Sequence, residues 1–131
     1  MGMVHLRMYI LKIFLREQCR KLGKSYSNNL AFYAYKANSN TLLCRIIHKE
    51  GLGVEVISKG ELILALSLDL SPDKIVFSGV SKSDEEIGLS VNEKLFMINI
   101  ESIQEIEMMS KIAKELNKRV QVGIRLNVGI A

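Results

Sequence analysis

Five short apolar runs rich in β-forming residues recur along the chain, each followed by a longer amphipathic stretch. They are LAFYAY (30–35), GVEVI (53–57), KIVFSG (74–79), LFMINI (95–100) and VQVGIRLN (120–127). Each is nearly apolar throughout instead of cleanly alternating, as a parallel strand covered on both faces requires. They begin about twenty to twenty-five residues apart, room for a strand, a helix and two short loops. Three of the intervening stretches open on Ser-x-x-Glu, at Ser58–Glu61, Ser83–Glu86 and Ser102–Glu105. This spacing predicts capping boxes, in which the serine oxygen accepts from a free helix-start N–H and the glutamate reaches back. A helix over 103–117 is predicted with Ile103, Ile106, Met109, Ile112, Ala113 and Leu116 on one face and Glu105, Lys111, Lys114 and Glu115 turned away. Asn38, Ser39 and Asn40 can cap a helix over 41–50 that ends at Gly51. A further helix is predicted over about 3–22, and Ser71-Pro72-Asp73 marks a turn before the third strand.

Alternating βα units mean an α/β fold with a parallel sheet and helices outside it. One domain over 1–131 is expected, with the N-terminal helix preceding βα units over about 30–127. Two closures are open: a doubly wound sheet, complete with five strands, and part of a (β/α) barrel, which needs eight. No G-x-G-x-x-G or phosphate-binding loop follows the first strand, which counts against the nucleotide-binding version.

Composition narrows the function classes. Hydrophobic residues make up 48% of the 131, with nine glycines and one proline, so a packed domain is expected instead of disorder. The net charge of +4 comes largely from Arg7, Lys12, Arg16, Arg20, Lys21 and Lys24. These read as a solvated helix face, without the basic stripe and aromatics of a nucleic-acid module. Cys19 and Cys44 share no metal-ligand spacing with each other or with His5 and His48, so no metal is expected. They read as reduced thiols of a cytoplasmic protein. No apolar run is long enough for a membrane span, because His5, Arg7 and Lys12 interrupt the first one.

In either closure, chemistry gathers at the carboxyl ends of the strands. Lys36, Ser58 with Glu55 nearby, Ser78 and Gly79, Asn99, and Arg125 with Asn127 fall there. A lysine at the end of a buried strand either pairs for structure, with Glu55 the obvious partner, or has work for its amine. Glu61 is fully explained as a capping residue. His48, near a helix end, is expected to meet the last carbonyls, and Cys44 to be packed.

The segments FYAYKANSN, GLGVEVISKGEL, DKIVFSGVSKSDEEI, MINIES and IRLN, in this order over roughly 30–127, resemble the pyridoxal-phosphate decarboxylases that share the alanine-racemase barrel. Within that family the pattern is similar to the diaminopimelate decarboxylases: YAVKAN, G-x-G-A-D-V-V-S-x-G-E-L, R-I-V-F-x-G-x-x-K-S, N-V-E-S and R-V-N-P. The resemblance implies a partial (β/α)8 barrel and a carboxy-lyase converting meso-diaminopimelate to L-lysine and carbon dioxide. It implies that Lys36 is the Schiff-base lysine for pyridoxal 5'-phosphate, with Glu55, Ser58, Glu61 and Arg125 around the cofactor. Family members are homodimers. Glu55 replaces the usual aspartate, Tyr35 the usual valine, where it is expected to add bulk to the barrel interior, and Val128 the usual proline.

The family's T-P-x-Y-V-Y opening is replaced by MGMVHLRMYILK. Its stacking histidine, glycine-rich phosphate loop, pyridine-pairing glutamate and C-terminal β domain have no counterpart in these residues. The expectation is an N-terminal part with little activity of its own. Alternatives are a non-catalytic or degraded product that pairs with a full-length or C-terminal chain, and another enzyme of the same barrel. Among the latter, alanine racemases carry A-x-A-Y-G-H-G where this chain has Ala37-Asn38-Ser39-Asn40.

Overall fold

A computed structural model describes residues 3–25, 31–126 and 129. Helix α1 (Met3–Ser25) precedes β1 (Phe32–Ala34) and a 3-10 turn (Tyr35–Ala37). Then follow α2 (Thr41–Lys49), β2 (Gly53–Val56), α3 (Lys59–Ser67), a second 3-10 turn (Pro72–Lys74) and β3 (Ile75–Phe77). The chain continues through α4 (Asp84–Glu93), β4 (Met97–Ile100), α5 (Ile103–Glu115) and β5 (Val122–Ile124). All five strand runs are present but shorter than the apolar pattern suggested, and Leu30 and Asn127 at its ends lie outside the described residues.

The strands form one parallel sheet in the order β1-β2-β3-β4-β5. This order decides between the two closures. A doubly wound sheet reverses direction beside its first strand, which puts helices on both faces. Here every crossover steps to the next strand in the same sense, so right-handed connections place α2 to α5 on one face, as in a barrel. The burial pattern agrees. Val54, Val56, Ile75, Phe77, Ile98 and Ile100, alternate residues of the three central strands, are buried under the helices. In the register row on the opposite face Ala34, Glu55 and Met97 are half-buried, and Val76 between the last two is buried.

One device returns each of the last three of these helices to its strand. Asp69, Lys94 and Asn117 take left-handed φ of 60°, 57° and 49°. The next residue donates its N–H back five positions, into the helix's last turn: Leu70 to Ala65, Leu95 to Ser90, Lys118 to Ala113. Leu70 and Leu95 then insert into the core, the apolar contact that accompanies this cap. Helix α2 ends on Gly51, with φ of 90°, as its sequence implied. Helix α1 packs on α2 through Cys19, Ile47 and Leu52. Its Arg20 donates to Glu50 at 2.7 Å and Arg16 stands 3.4 Å from it, so part of the basic excess is paired.

The capping pattern needs a correction. All three serines accept from the expected N–H, that of Glu61, Glu86 or Glu105. Only Glu86 closes a box, taking the N–H of Ser83 at 3.0 Å. Glu61 and Glu105 reach one residue further back, to the N–H of Ile57 (2.8 Å) and Glu101 (2.9 Å). Glu105 therefore does not turn away from the core. It is buried and meets Lys82 Nζ at 3.2 Å, the Lys82 side chain being 0% exposed. Ile103, Ile106 and Leu116 are exposed instead, and the buried face of α5 centres on Glu105 and Met109.

A buried pair is costly to break from one side. Glu105→Ala leaves an unpaired buried ammonium and should cost about 3 kcal/mol in urea unfolding. The double change Lys82→Met with Glu105→Leu should recover most of that loss. A single variant as stable as the parent chain would show that the pair contributes nothing.

Candidate active site at the carboxyl rim of the sheet

Lys36 lies in the 3-10 turn that leaves β1, not in the strand itself. Its side chain is exposed, and among the described residues no hydrogen bond or ion pair takes up its ammonium. The structural pairing with Glu55 is therefore not made there. Glu55 is half-buried on β2, opposite Ala34 in the register. Tyr35 does not add bulk to the inner face. It is buried on the helix side, where its Oη lies 2.8 Å from His48 Nε2 and the two rings stack with centroids 5.9 Å apart. Alternation explains this, since Tyr33 pairs with Val54, a helix-facing residue, and Tyr35 follows it by two. His48 consequently meets a phenol, not the last carbonyls. Cys44 is packed, as expected.

Ser58 and Glu61 hold the start of α3, as described above, so their visible interactions are those of a cap. Glu86 accepts the Lys59 N–H at 2.9 Å and Glu105 the Lys82 N–H at 3.3 Å, linking each strand-to-helix loop to the next. The N–H groups that a bound phosphate would need at these helix starts are already partly taken by the chain's own carboxylates. The Ser83 and Lys59 N–H groups hold the Glu86 carboxyl below the usual carboxylate range against the opposing effect of burial. Burial pushes Glu105 up, but the N–H of Glu101 and the Lys82 ammonium outweigh it, and its pKa is also lowered.

Two contacts at the rim join residues that sequence placed there separately. Asn99 Nδ2 donates to Ser78 Oγ at 2.7 Å across β4 and β3. Gly123 faces Asn99 in the ladder, and a Cβ there would overlap the Asn99 side-chain oxygen. Arg125 extends the ladder, its N–H donating to Ile100 O, and its guanidinium bonds Glu101 at 2.9 Å. Glu101 and Lys82 escaped sequence reasoning as site residues. The alternation Asn99–Glu101 along β4 was the available signal for the first. Asn127 lies outside the described residues. Among those described, no three His, Cys, Asp or Glu side chains gather as metal ligands, and no helix is long and apolar enough to cross a membrane.

A sequential parallel sheet with an accessible lysine at its carboxyl rim defines a barrel-type α/β domain able to condense with an aldehyde. The chain belongs to the family described as pyridoxal-dependent decarboxylase, pyridoxal binding domain, whose sequence pattern matches residues 14–131. It is 35% identical over 114 residues to a diaminopimelate decarboxylase from Aquifex aeolicus, covering 87% of this chain and 27% of that protein. It is 36% identical over 115 residues to an L-glutamyl-[BtrI acyl-carrier protein] decarboxylase from Niallia circulans, with the same shares. The crystal structure of diaminopimelate decarboxylase from Helicobacter pylori complexed with L-lysine superposes with a TM-score of 0.79 at 32% identity. That match covers 88% of this chain and 29% of the other. The chain thus spans a little over a quarter of the length of these relatives. The residues present fit the aldehyde end of pyridoxal phosphate, through the uncommitted Lys36 amine, more than its phosphate.

The His48 imidazole is held neutral, its pKa lowered from 6.5 by burial. A folded-state pKa below the unfolded one means stability present above about pH 6.5 and lost as pH falls through the folded value. The Glu86 and Glu105 shifts act in the same direction below their ordinary value of 4.5. Urea midpoints should therefore fall in two stages on acidification. His48→Gln should remove the upper stage alone, and an unchanged profile in that variant would contradict the assignment.

Proposed function

We propose that this chain is the cofactor-bearing part of a pyridoxal-phosphate-dependent amino-acid decarboxylase, with meso-diaminopimelate as substrate and L-lysine as product. The observation that carries this reading is the uncommitted Lys36 amine at the carboxyl rim, inside the family's own motif. Lys36 binds the cofactor aldehyde through its Nζ. When bound, pyridoxal phosphate supplies an electron sink for the pair left as a carboxylate departs as carbon dioxide. Glu55 places a carboxylate one strand away from the lysine turn. Arg125, oriented by Glu101, offers a cation at the opposite side of the rim. Ser58 and Glu61 act by fixing the turn between them and the sheet.

The relative that acts on an L-glutamyl carrier protein is as similar as the diaminopimelate enzyme, and this favours a second substrate reading within the same chemistry. Incubation with pyridoxal phosphate should give a visible absorbance band. Borohydride reduction should then fix one pyridoxyl phosphate on the Lys36 peptide, and Lys36→Ala should show neither. By themselves the 131 residues should decarboxylate neither substrate appreciably, since the described helix starts offer the phosphate few free donors. A robust rate from the chain alone would overturn that expectation.

Among the described residues no strand pairs with the outer edge of β5, and Ile124 and Leu126 are more than 70% exposed beside it. Such an edge favours pairing with a further strand, supplied by a homodimer partner or a chain carrying the later βα units. Light scattering of the 131-residue chain should show association, abolished by Ile124→Lys. A monodisperse monomer would count against pairing.

A further inference from the structure

We propose that a relay of side chains on α2, His48 bonding Tyr35 on one side and Cys44 bonding the Asn38 carbonyl on the other, is a positioning device for the Lys36 turn. It rests on the reading of Lys36 as the cofactor-bearing amine. The turn is three residues long, its N-cap Ala34 makes no side-chain bond, and Asn38 leaves it in extended backbone. A single 3-10 turn has poor hydrogen-bond geometry of its own. The strand before it has three residues and one neighbour, β2. Holding Lys36 in one place therefore falls to tertiary contacts.

Polar atoms beneath the turn tie both of its ends to α2. His48 Nδ1 is buried with no partner among the described residues. A buried N–H without an acceptor is rarer and costlier than a bare lone pair, which assigns the proton to Nε2. Nε2 then donates to Tyr35 Oη at 2.8 Å. On the other side of the turn, the Cys44 thiol donates to Asn38 O at 3.9 Å. Tyr33 Oη donates to the same carbonyl at 3.0 Å. Lys36 is thus bracketed by Tyr35 before it and Asn38 after it, both tied to α2, while its own side chain stays outside. Packing alone needs no phenol oxygen at position 35; a phenyl ring would fill the same space. The hydroxyl and the imidazole earn their burial only by bonding each other and closing the turn.

The test titrates pyridoxal phosphate into the 131-residue chain well below every variant's unfolding temperature, following the visible band. Tyr35→Phe and His48→Leu remove the His48–Tyr35 bond from its two sides and should each weaken binding about five- to tenfold, by faster release. His48→Gln keeps a donor at the same reach and should restore binding to within about twofold of the parent chain. A role in overall stability alone would lower the melting temperature without moving the affinity of the folded protein. In the unaltered chain, the Lys36 and Ala37 amides should exchange as slowly as those of β1. The relay is overturned by parent-like binding in Tyr35→Phe and His48→Leu, by His48→Gln binding as weakly as His48→Leu, or by open-loop exchange at Lys36 and Ala37. If a variant does not fold, the other variant and the exchange measurement decide. Lys36→Ala separates the two layers: undiminished binding there overturns the cofactor assignment and the relay with it, whereas lost binding there with parent-like Tyr35→Phe overturns the relay alone.

Discussion

The carboxyl rim of this sheet depends on three glutamates that sit third in their helices and fold back onto backbone N–H groups. Glu61, Glu86 and Glu105 each accept a backbone N–H at the N-cap or just before it, where the strand turns into the helix. Because Glu86 also takes the Lys59 N–H and Glu105 the Lys82 N–H, each unit is bonded to the one before it at the edge where chemistry gathers. Charged acceptors make these bonds stronger than neutral ones. The strands contribute only three or four residues each, so the rim cannot rely on the ladder alone.

That arrangement has a consequence for ligand binding. Helix starts pointing at a sheet rim attract anions, yet α3, α4 and α5 have partners of their own for some of the N–H groups there. The rim is left with an accessible amine at one side and an arginine–glutamate pair at the other, with Ser78 and Asn99 bonded between them. The chain's match to a pyridoxal-binding domain covers a little over a quarter of its relatives' length.

The Lys36 turn is built differently from the other three. Helix α2 is capped by Asn40, whose side chain accepts from Leu42 and Leu43, and it has no acid in its first turn. Without a carboxylate to fold back, the loop is held from below by phenols, a thiol and an imidazole. The element carrying the proposed reactive group thus has a separate set of anchors from the elements that shape the rim.

Much of this was legible in the chain itself. The spacing of apolar runs reports a βα repeat because strand and helix have different periods. Ser-x-x-Glu marks helix starts because free N–H groups must be met locally, and YAYKANSN locates the lysine. What sequence could not reveal were choices among partners of equal chemistry. An apolar strand does not disclose which of its faces meets the helices, so Tyr35 was assigned to the wrong side. Amphipathic spacing turned Glu105 outward, whereas a lysine 23 residues earlier holds it inside. Sequence did not name a partner for Arg125, and the register of β4 against β5 brings it to Glu101. Local pattern determines which elements form, because backbone hydrogen bonding and capping are satisfied within a few residues. Side-chain pairing across elements is decided only when the sheet sets their separation.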